Sequence, residues 1–480
     1  MSERVGRRRF LAGTAVAATV VAFDPVFGWV AEADPRTDGA IAVPGLDGEL
    51  VTDPASLAEA ADDYGHIVHR TPIAVLRPAS VHDVQVMVRY ADRHGLKVAM
   101  RGQGHSTFGQ AQVKGGVVID SRTLATIHDI SPRGAVVDAG VQWLDLARAA
   151  TAKGLTPPVF TDYLGLSVGG TLSVGGVGGA TSHHGLQVDN ALELQVVTGQ
   201  GDLVTCSASC NAELFRAVLG GLGQFGIIVR ATVKVIPAKT TARVYHLNYA
   251  DVAKLTAAQR IALADGRFDY LEGSVNAVEG GGWSYQLEGL VYYTAPDAPD
   301  DAAKVAGLPA PTSSDISEVT YFDWLNRIYA LVEQLKQFGF PSPWLNLYLP
   351  GDATDRYVAD TMASLTTADT GGGPILLYPI KTNLLTRPNV EVPDTPIAFL
   401  FAILRLAADP ALVDPMVKSN RALYEKARAC GGKLYPVSAV PMSPVDWVQH
   451  YGGDYPRFAA DKALFDPRHT LTPGQGIFGA

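Results

Sequence analysis

Cysteine is nearly absent from this sequence: Cys206, Cys210 and Cys430 are the three among 480 residues. An odd, sparse set is not a disulfide framework, so a small scaffold held by bridges is excluded. Cys206 and Cys210 stand four apart without a convergent histidine pair, which gives no metal site; incidental thiols, or one optional disulfide, are expected. Excess positive charge is missing too. The 39 basic and 48 acidic side chains leave a net charge of −9, so no nucleic-acid partner is expected, while a small neutral or cationic substrate is compatible. The apolar run from Leu11 to Phe23 is too short to span a bilayer. Internal repeats and coiled-coil heptads are lacking. What remains is 47% hydrophobic and 18% charged, the mixture of a folded enzyme. The chain is too long for one ordinary core, and two or three domains are expected.

Glycine, by contrast, is plentiful. The 49 glycines cluster, which points to close backbone approaches to a ligand. At the N-terminus, Gly6-Arg7-Arg8-Arg9-Phe10-Leu11 precedes the apolar run, and Ala31-Glu32-Ala33 supplies a small-x-small cleavage site. This resembles a twin-arginine export signal, so residues 1–33 are set apart from the fold and an exported, secreted or extracytoplasmic protein is expected. A basic tail or a short anchor is the plainer alternative.

Along the rest of the chain, strands and helices alternate with short links. Ile73 to Pro78 reads as a strand running into a turn, and the apolar positions Val81, Val84, Met87, Val88 and Ala91 as a helix. Leu96 to Met100, Gly116 to Asp120 and Ala135 to Asp138 read as strands, and Trp143 to Lys153 as a helix. Leu192–Val197 and Leu203–Cys206 flank a hairpin turn at Thr198–Asp202. A helix over Ala212–Leu219 and a strand over Ile227–Ile236 follow. Beyond Thr240 the texture changes: Ser284–Glu288, then Leu290–Tyr293, suggest an antiparallel sheet. Pro296–Ser314 reads as a loop and 321–337 as an amphipathic helix.

Two glycine motifs bear on chemistry. Gly221-Leu222-Gly223-Gln224-Phe225-Gly226 matches G-x-G-x-x-G, but a helix precedes it and a strand follows, the reverse of a nicotinamide-binding turn. In Arg101-Gly102-Gln103-Gly104-His105-Ser106, two glycines flank Gln103, so successive N–H groups can converge on an anion with an imidazole beside it. A strand-ending turn with an incidental histidine fits those six residues equally well.

Together the motifs resemble the FAD-linked oxidases of the vanillyl-alcohol oxidase superfamily, and among them the cytokinin dehydrogenases. The resemblance runs from Ala74-Val75-Leu76-Arg77-Pro78 through Arg101–Ser106, Gly109-Gln110-Ala111-Gln112, Thr161-Asp162-Tyr163-Leu164 and Val168–Ser173. It continues in Asn190–Leu194, Leu219–Ile228, Asp269-Tyr270-Leu271-Glu272-Gly273 and Pro343-Trp344-Leu345-Asn346-Leu347. It ends with Phe465-Asp466-Pro467 and Pro473-Gly474-Gln475, so nearly the whole chain after the address is covered.

The resemblance implies an α+β fold: an FAD-binding domain of vanillyl-alcohol oxidase type over 40–240, an inserted antiparallel-sheet substrate domain over 241–435, and a C-terminal segment, 436–480, that completes the first. It implies FAD linked covalently to His105 through the flavin 8α-methyl carbon. Gly102, Gln103, Gly104, Ser106 and Gln110 match the loop around the pyrophosphate and flavin. Ser167, Ser173, Val177 and Ile227 match further cofactor contacts, with Tyr435, Thr472 and Gln475 from the C-terminal side. Berberine-bridge relatives add a second link through cysteine; none lies between Asp162 and Gly179, so a single link is implied.

Asp162 matches the catalytic acid, also beside the cofactor and substrate, and Glu272 the carboxylate paired with it. Asn346 and Trp344 are candidates for the substrate pocket, although core packing suits Trp344 as well. Oxidising a secondary amine requires the N–H or ammonium proton to be held or removed while hydride leaves the adjacent carbon, and a carboxyl beside a carboxylate in a dry cleft suits that work. A turn residue at Asp162 and an ordinary surface acid at Glu272 are the plain alternatives. The implied substrate is an N6-substituted adenine, oxidised to an imine that hydrolyses to adenine and an aldehyde, with a quinone-like compound or oxygen as electron acceptor. An alcohol or sugar oxidase on the same scaffold, or a flavin-carrying electron-transfer protein, are the rivals. Where relatives place a glutamate against the adenine ring, this chain aligns Leu331, with Glu333 nearby, and Val174 stands where asparagine is common. His183 and His184, read as strand neighbours pointing to opposite faces, are assigned no metal.

Overall fold

A computed structural model describes residues 45–479, together with the backbone of three short, mutually paired strands at Val21–Asp24, Gly28–Ala31 and Ile41–Ala42. Arg7 to Arg9 and most of the apolar run behind them lie outside the described residues, while two of those strands fall inside the segment set apart as an address.

The first sheet runs Glu49–Val51, Ala74–Arg77, Val117–Asp120, Val98–Arg101. Its last three strands are parallel and its first is antiparallel. Val117–Asp120 is buried along its whole length, as a parallel strand covered on both faces must be. The helix Val81–His94 covers one face. Ser80 and Asp83 form its capping box, Gly95 at φ +69° ends it, and Val84, Met87, Val88 and Ala91 are buried at helical spacing. A second, antiparallel sheet runs Leu203–Ser207, Ala191–Val197, Ile227–Val233, Gly134–Asp138, Ile127–Ser131.

The third sheet has eight antiparallel strands, in the order Ser313–Thr320, Thr241–Tyr249, Trp283–Tyr293, Tyr270–Ala277, Ile375–Lys381, Ile397–Ile403, Leu345–Pro350, Lys433–Leu434. Alternation decides its two faces. Leu271, Val275 and Leu287 pack with Val252, Leu255, Val358 and Leu423 of the helices behind it. Val244, Tyr270 and Leu290 point the other way and share a core with the second sheet and its helices.

The chain then returns to the first half through the helices Pro444–Tyr451 and Tyr455–Phe465. Leu471 bridges Val98 in parallel, with Val98 N donating to Thr470 O and Thr472 N to Val98 O, each at 2.8 Å. A buried ion pair, Lys462 to Asp466 at 2.7 Å, holds this end, and Lys462 Nζ also donates to Gln224 O.

The mixed sheets and helices are the α+β class that the sequence pattern points to. Four local expectations are corrected. Trp283–Tyr293 is one unbroken strand, because Gly289 packs against the Phe268 ring instead of breaking the ladder. Residues 296–314 are not all loop: Asp301–Val305 is helical and the strand Ser313–Thr320 begins there. The expected helix over 321–337 is two, Tyr321–Leu325 and Tyr329–Phe338. His183 and His184 lie on the helical turn Thr181–His184, not on a strand, and His183 Nε2 contacts the Phe268 carbonyl. All three cysteines are free, and burial pushes the Cys206 thiol up to about 12.

Candidate functional site

A cavity of about 590 Å³ lies between the glycine loops of the first half and the inner face of the eight-stranded sheet. At one end the strand Val98–Arg101 runs into the loop Gly102–Ser106, all five residues of which line the cavity. Gly104 has φ +65°, which strains any other residue, and a Cβ at Gly102 would stand 2.1 Å from Ser167 Oγ, which would have to turn away. Tyr64 N donates to Gly104 O and Gly65 N to Ser106 O, which pins the loop by its carbonyls. Among the described residues the N–H groups of Gln103 to Ser106 meet no acceptor within the protein. Buried N–H groups need one.

Ser106 and Gln110 line the cavity but also brace this loop. Ser106 Oγ donates to Asp63 Oδ2 at 2.9 Å, and Gln110 Oε1 accepts from Phe108 N at 2.7 Å while its Nε2 donates to Ser438 O. Burial pushes the Asp63 carboxyl up to about 6, against the bonds it accepts from Gly109 N, Ser106 Oγ and Gly65 N. His105 is half-buried among aromatic rings at the cavity wall. Its ring lies 4.2 Å from that of Tyr64, 5.1 Å from Tyr163 and 5.4 Å from Trp344. Burial, with the nearby Lys336 ammonium, pushes the imidazole down to about 3, and Nδ1 has no hydrogen-bond partner. A neutral ring with a free nitrogen therefore borders the cavity.

The second glycine cluster and the C-terminal segment form the walls. Ser167, Ser173, Val177 and Ile227 line the cavity, as do Tyr435, Thr472 and Gln475. Ser173 Oγ donates to Gly169 O, Thr472 Oγ1 to Gly223 O, and the Tyr435 hydroxyl accepts from Gly176 N. Gly223 and Gly226, of the motif read as no nicotinamide turn, also line it. Asn346 lines it as well, though its Nδ2 is committed to Val437 O. Trp344, left open between core and pocket, sits at the His105 edge. Leu331 and Val174 line the cavity; Glu333 does not, because it is held outside by the Tyr163 hydroxyl and Lys336.

At the far end Asp162 and Glu272 meet in the same cavity, brought from a loop of the first half and from the strand Tyr270–Ala277. Asp162 Oδ1 accepts from the Tyr270 hydroxyl at 2.6 Å and from Arg327 Nη2 at 3.1 Å. Arg327 also donates to Tyr270 OH at 2.7 Å, lies 3.6 Å from Glu288 Oε1 and stacks over Trp324 at 3.9 Å. Glu272 is 4% exposed, and its Oε1 has no partner. Burial first, then the charge of Asp162, raises its carboxyl well above the usual range.

Every residue named from the sequence as a site candidate, Glu333 excepted, thus borders one cavity. Arg327, Tyr270 and Glu288 were missed. Arg327 lies in the break between two helices read as one. Tyr270 and Glu288 alternate with apolar residues, a pattern that ordinarily marks a face turned to water, but here that face is a cavity wall. Among the described residues no cluster of three or more histidine, cysteine or acidic side chains is set to hold a metal, and no helix is long and apolar enough to cross a membrane.

Comparison with known proteins bears on this cavity. Residues 72–207 match the family described as FAD binding domain, and residues 284–478 the one described as cytokinin dehydrogenase 1, FAD and cytokinin binding. The chain is 37% identical to cytokinin dehydrogenase 1 of Oryza sativa, over 90% of this chain and 92% of that protein. It is 35% identical to cytokinin dehydrogenase 2 of Arabidopsis thaliana, over 89% and 93%. An uncharacterised oxidoreductase of the fasciation locus of Rhodococcoides fascians is 42% identical, over 88% and 97%. The same fold occurs in 6-hydroxy-D-nicotine oxidase from Arthrobacter nicotinovorans, with a TM-score of 0.70 and 24% identity over 88% of this chain and 96% of that one.

Proposed function

The chain belongs to the cytokinin dehydrogenase family, and we propose that it oxidises the side-chain secondary amine of N6-substituted adenines to an imine, which water hydrolyses to adenine and an aldehyde. The observation that carries this reading is that Asp162 and Glu272 face the same cavity as the glycine loop and His105.

The residues present fit FAD. A run of unpartnered N–H groups beside side-chain-free backbone suits a pyrophosphate, and the orphaned His105 nitrogen suits a covalent link to the flavin. When bound, FAD supplies the acceptor for a hydride. The protein's own part is positioning and proton handling. Tyr270 and Arg327 fix Asp162 with an oxygen directed at the substrate N–H. Glu272, whose carboxyl burial and the Asp162 charge raise above the usual range, stands in the same cavity as the second acid. The helix Tyr329–Phe338 lends the apolar side chains of Leu331, Val332 and Leu335 to the cavity wall. The acceptor that drains the electrons is a quinone-like compound or oxygen, and the Arg7-Arg8-Arg9 signal directs export of the folded protein.

Anaerobic mixing with isopentenyladenine tests the reading. Rapid bleaching of the flavin, with adenine and an aldehyde recovered, is expected. A flavin that stays coloured and responds instead to alcohols or sugars would overturn the assignment. For the covalent link, His105→Ala should release its flavin into acid, whereas acid-stable flavin in that variant would place the link elsewhere.

A further inference from the structure

A row of titratable side chains crosses the eight-stranded sheet, and only its first member has been used so far. Glu272 stands directly opposite Glu288 on the neighbouring strand, Glu288 directly opposite His246 on Thr241–Tyr249, and His246 directly opposite Asp315 on Ser313–Thr320. Directly opposed residues of antiparallel strands share a face, with Cβ atoms about 4.5–5.5 Å apart. That face is the cavity wall, since Ser274, two residues from Glu272, and Gln286, two from Glu288, both line the cavity. The row runs from inside to outside. Glu272 is buried, the Glu288 and His246 side chains are 21% and 27% exposed, and Asp315 is fully at the surface. Glu288 Oε2 lies 2.8 Å from His246 Nε2, and its other oxygen faces Arg327. Apolar side chains would suit packing better along such a wall; ionisable ones in line suit proton movement.

We infer that this row is the outlet by which the proton taken from the substrate nitrogen leaves the cavity, with His246 as the group that passes it to solvent. The inference rests on the amine-oxidation reading. In that reaction the C–H and N–H bonds break as the C=N bond forms. The C–H electron pair departs as hydride to the flavin, and the N–H proton goes to Asp162. The Tyr270 hydroxyl, bonded to Asp162 and two residues from Glu272 on the same strand face, joins Asp162 to the row. One proton enters at Asp162 as another leaves His246 for a buffer base, so the row returns to its starting charge each turnover. Arg327 stays charged and carries nothing. The charged groups that face His246 are Glu288 on one side and Asp315 on the other.

The test compares the flavin-loaded full-length protein with its H246Q variant, mixed anaerobically with isopentenyladenine and a pH-indicator dye. In the parent protein, proton appearance should coincide with flavin bleaching. In H246Q it should lag, turnover in weak buffer should fall on the order of tenfold with KM unchanged, and added imidazole should restore it. Proton release that keeps pace with bleaching in H246Q, or a slow variant that imidazole does not rescue, would overturn the outlet while leaving the amine oxidation in place. A parent flavin that never bleaches would instead overturn the amine-oxidation reading, and the outlet with it.

Discussion

The two ends of the cavity are built in opposite ways. The end at His105 presents the backbone of one contiguous loop and of a second glycine cluster, with the rings of Tyr64, Tyr163 and Trp344 around the imidazole. The far end is made of side chains, with Asp162, Tyr270, Glu272, Glu288 and Arg327 drawn from four separate segments. A backbone cradle holds a cofactor by shape and dipoles, and tolerates most changes other than an added Cβ. A cluster of paired charges fails when one member is removed, because the others are left buried without partners.

Variants that separate the two ends should therefore part flavin content from turnover. The largest effect is expected of Asp162→Asn, which should keep its flavin and lose roughly a thousandfold in kcat; undiminished kcat would remove Asp162 from the chemistry. Gly102→Val acts at the other end: its Cβ would meet Ser167 Oγ at 2.1 Å, so the purified protein should be colourless, and full flavin occupancy would show that the loop can shift.

Arg327→Met should leave flavin in place, lower turnover less than Asp162→Asn, and cost about 3 kcal/mol of stability by stranding its partners. An unchanged Tm would show that the carboxylates do not depend on it. The smallest effect concerns pH. The folded-state pKa of Glu272 is raised, so the folded protein binds a proton that the unfolded chain has lost. The stability this contributes is complete below the ordinary 4.5 and declines as pH rises from there through the folded value. Glu272→Gln should flatten that decline in a Tm-against-pH series, and parallel curves would show that Glu272 is ionised.

How much of this was legible follows the same division. The loop Arg101–Ser106 could be read because everything it needs is adjacent in sequence: a strand end, two glycines and an imidazole. Glu288 could not. Its strand alternates polar and apolar residues, and alternation reports that two faces differ, not whether the polar one meets water or a cavity. Arg327 was hidden for a related reason, since the apolar spacing of Tyr321–Phe338 persists across the break at Asn326–Ile328 and periodicity alone cannot show a change of helix axis. Ser106, Gln110 and Asn346 were named from the sequence as site candidates, yet the bonds by which they brace loops from Asp63 to Ser438 required the folded chain.

By itself the sequence determined the α+β class, the family, the glycine loops and most of the strands and helices, together with the carboxylates brought to the cavity. These depend on local spacing and on residue type, which are properties of the chain. Only the tertiary structure decided that Arg327 pairs with Asp162, that the Glu272 carboxyl is raised by burial, and that Glu288 and His246 line up behind it. Those outcomes depend on burial and on distances between segments remote in the chain, and both exist only once the eight-stranded sheet has closed over the loops.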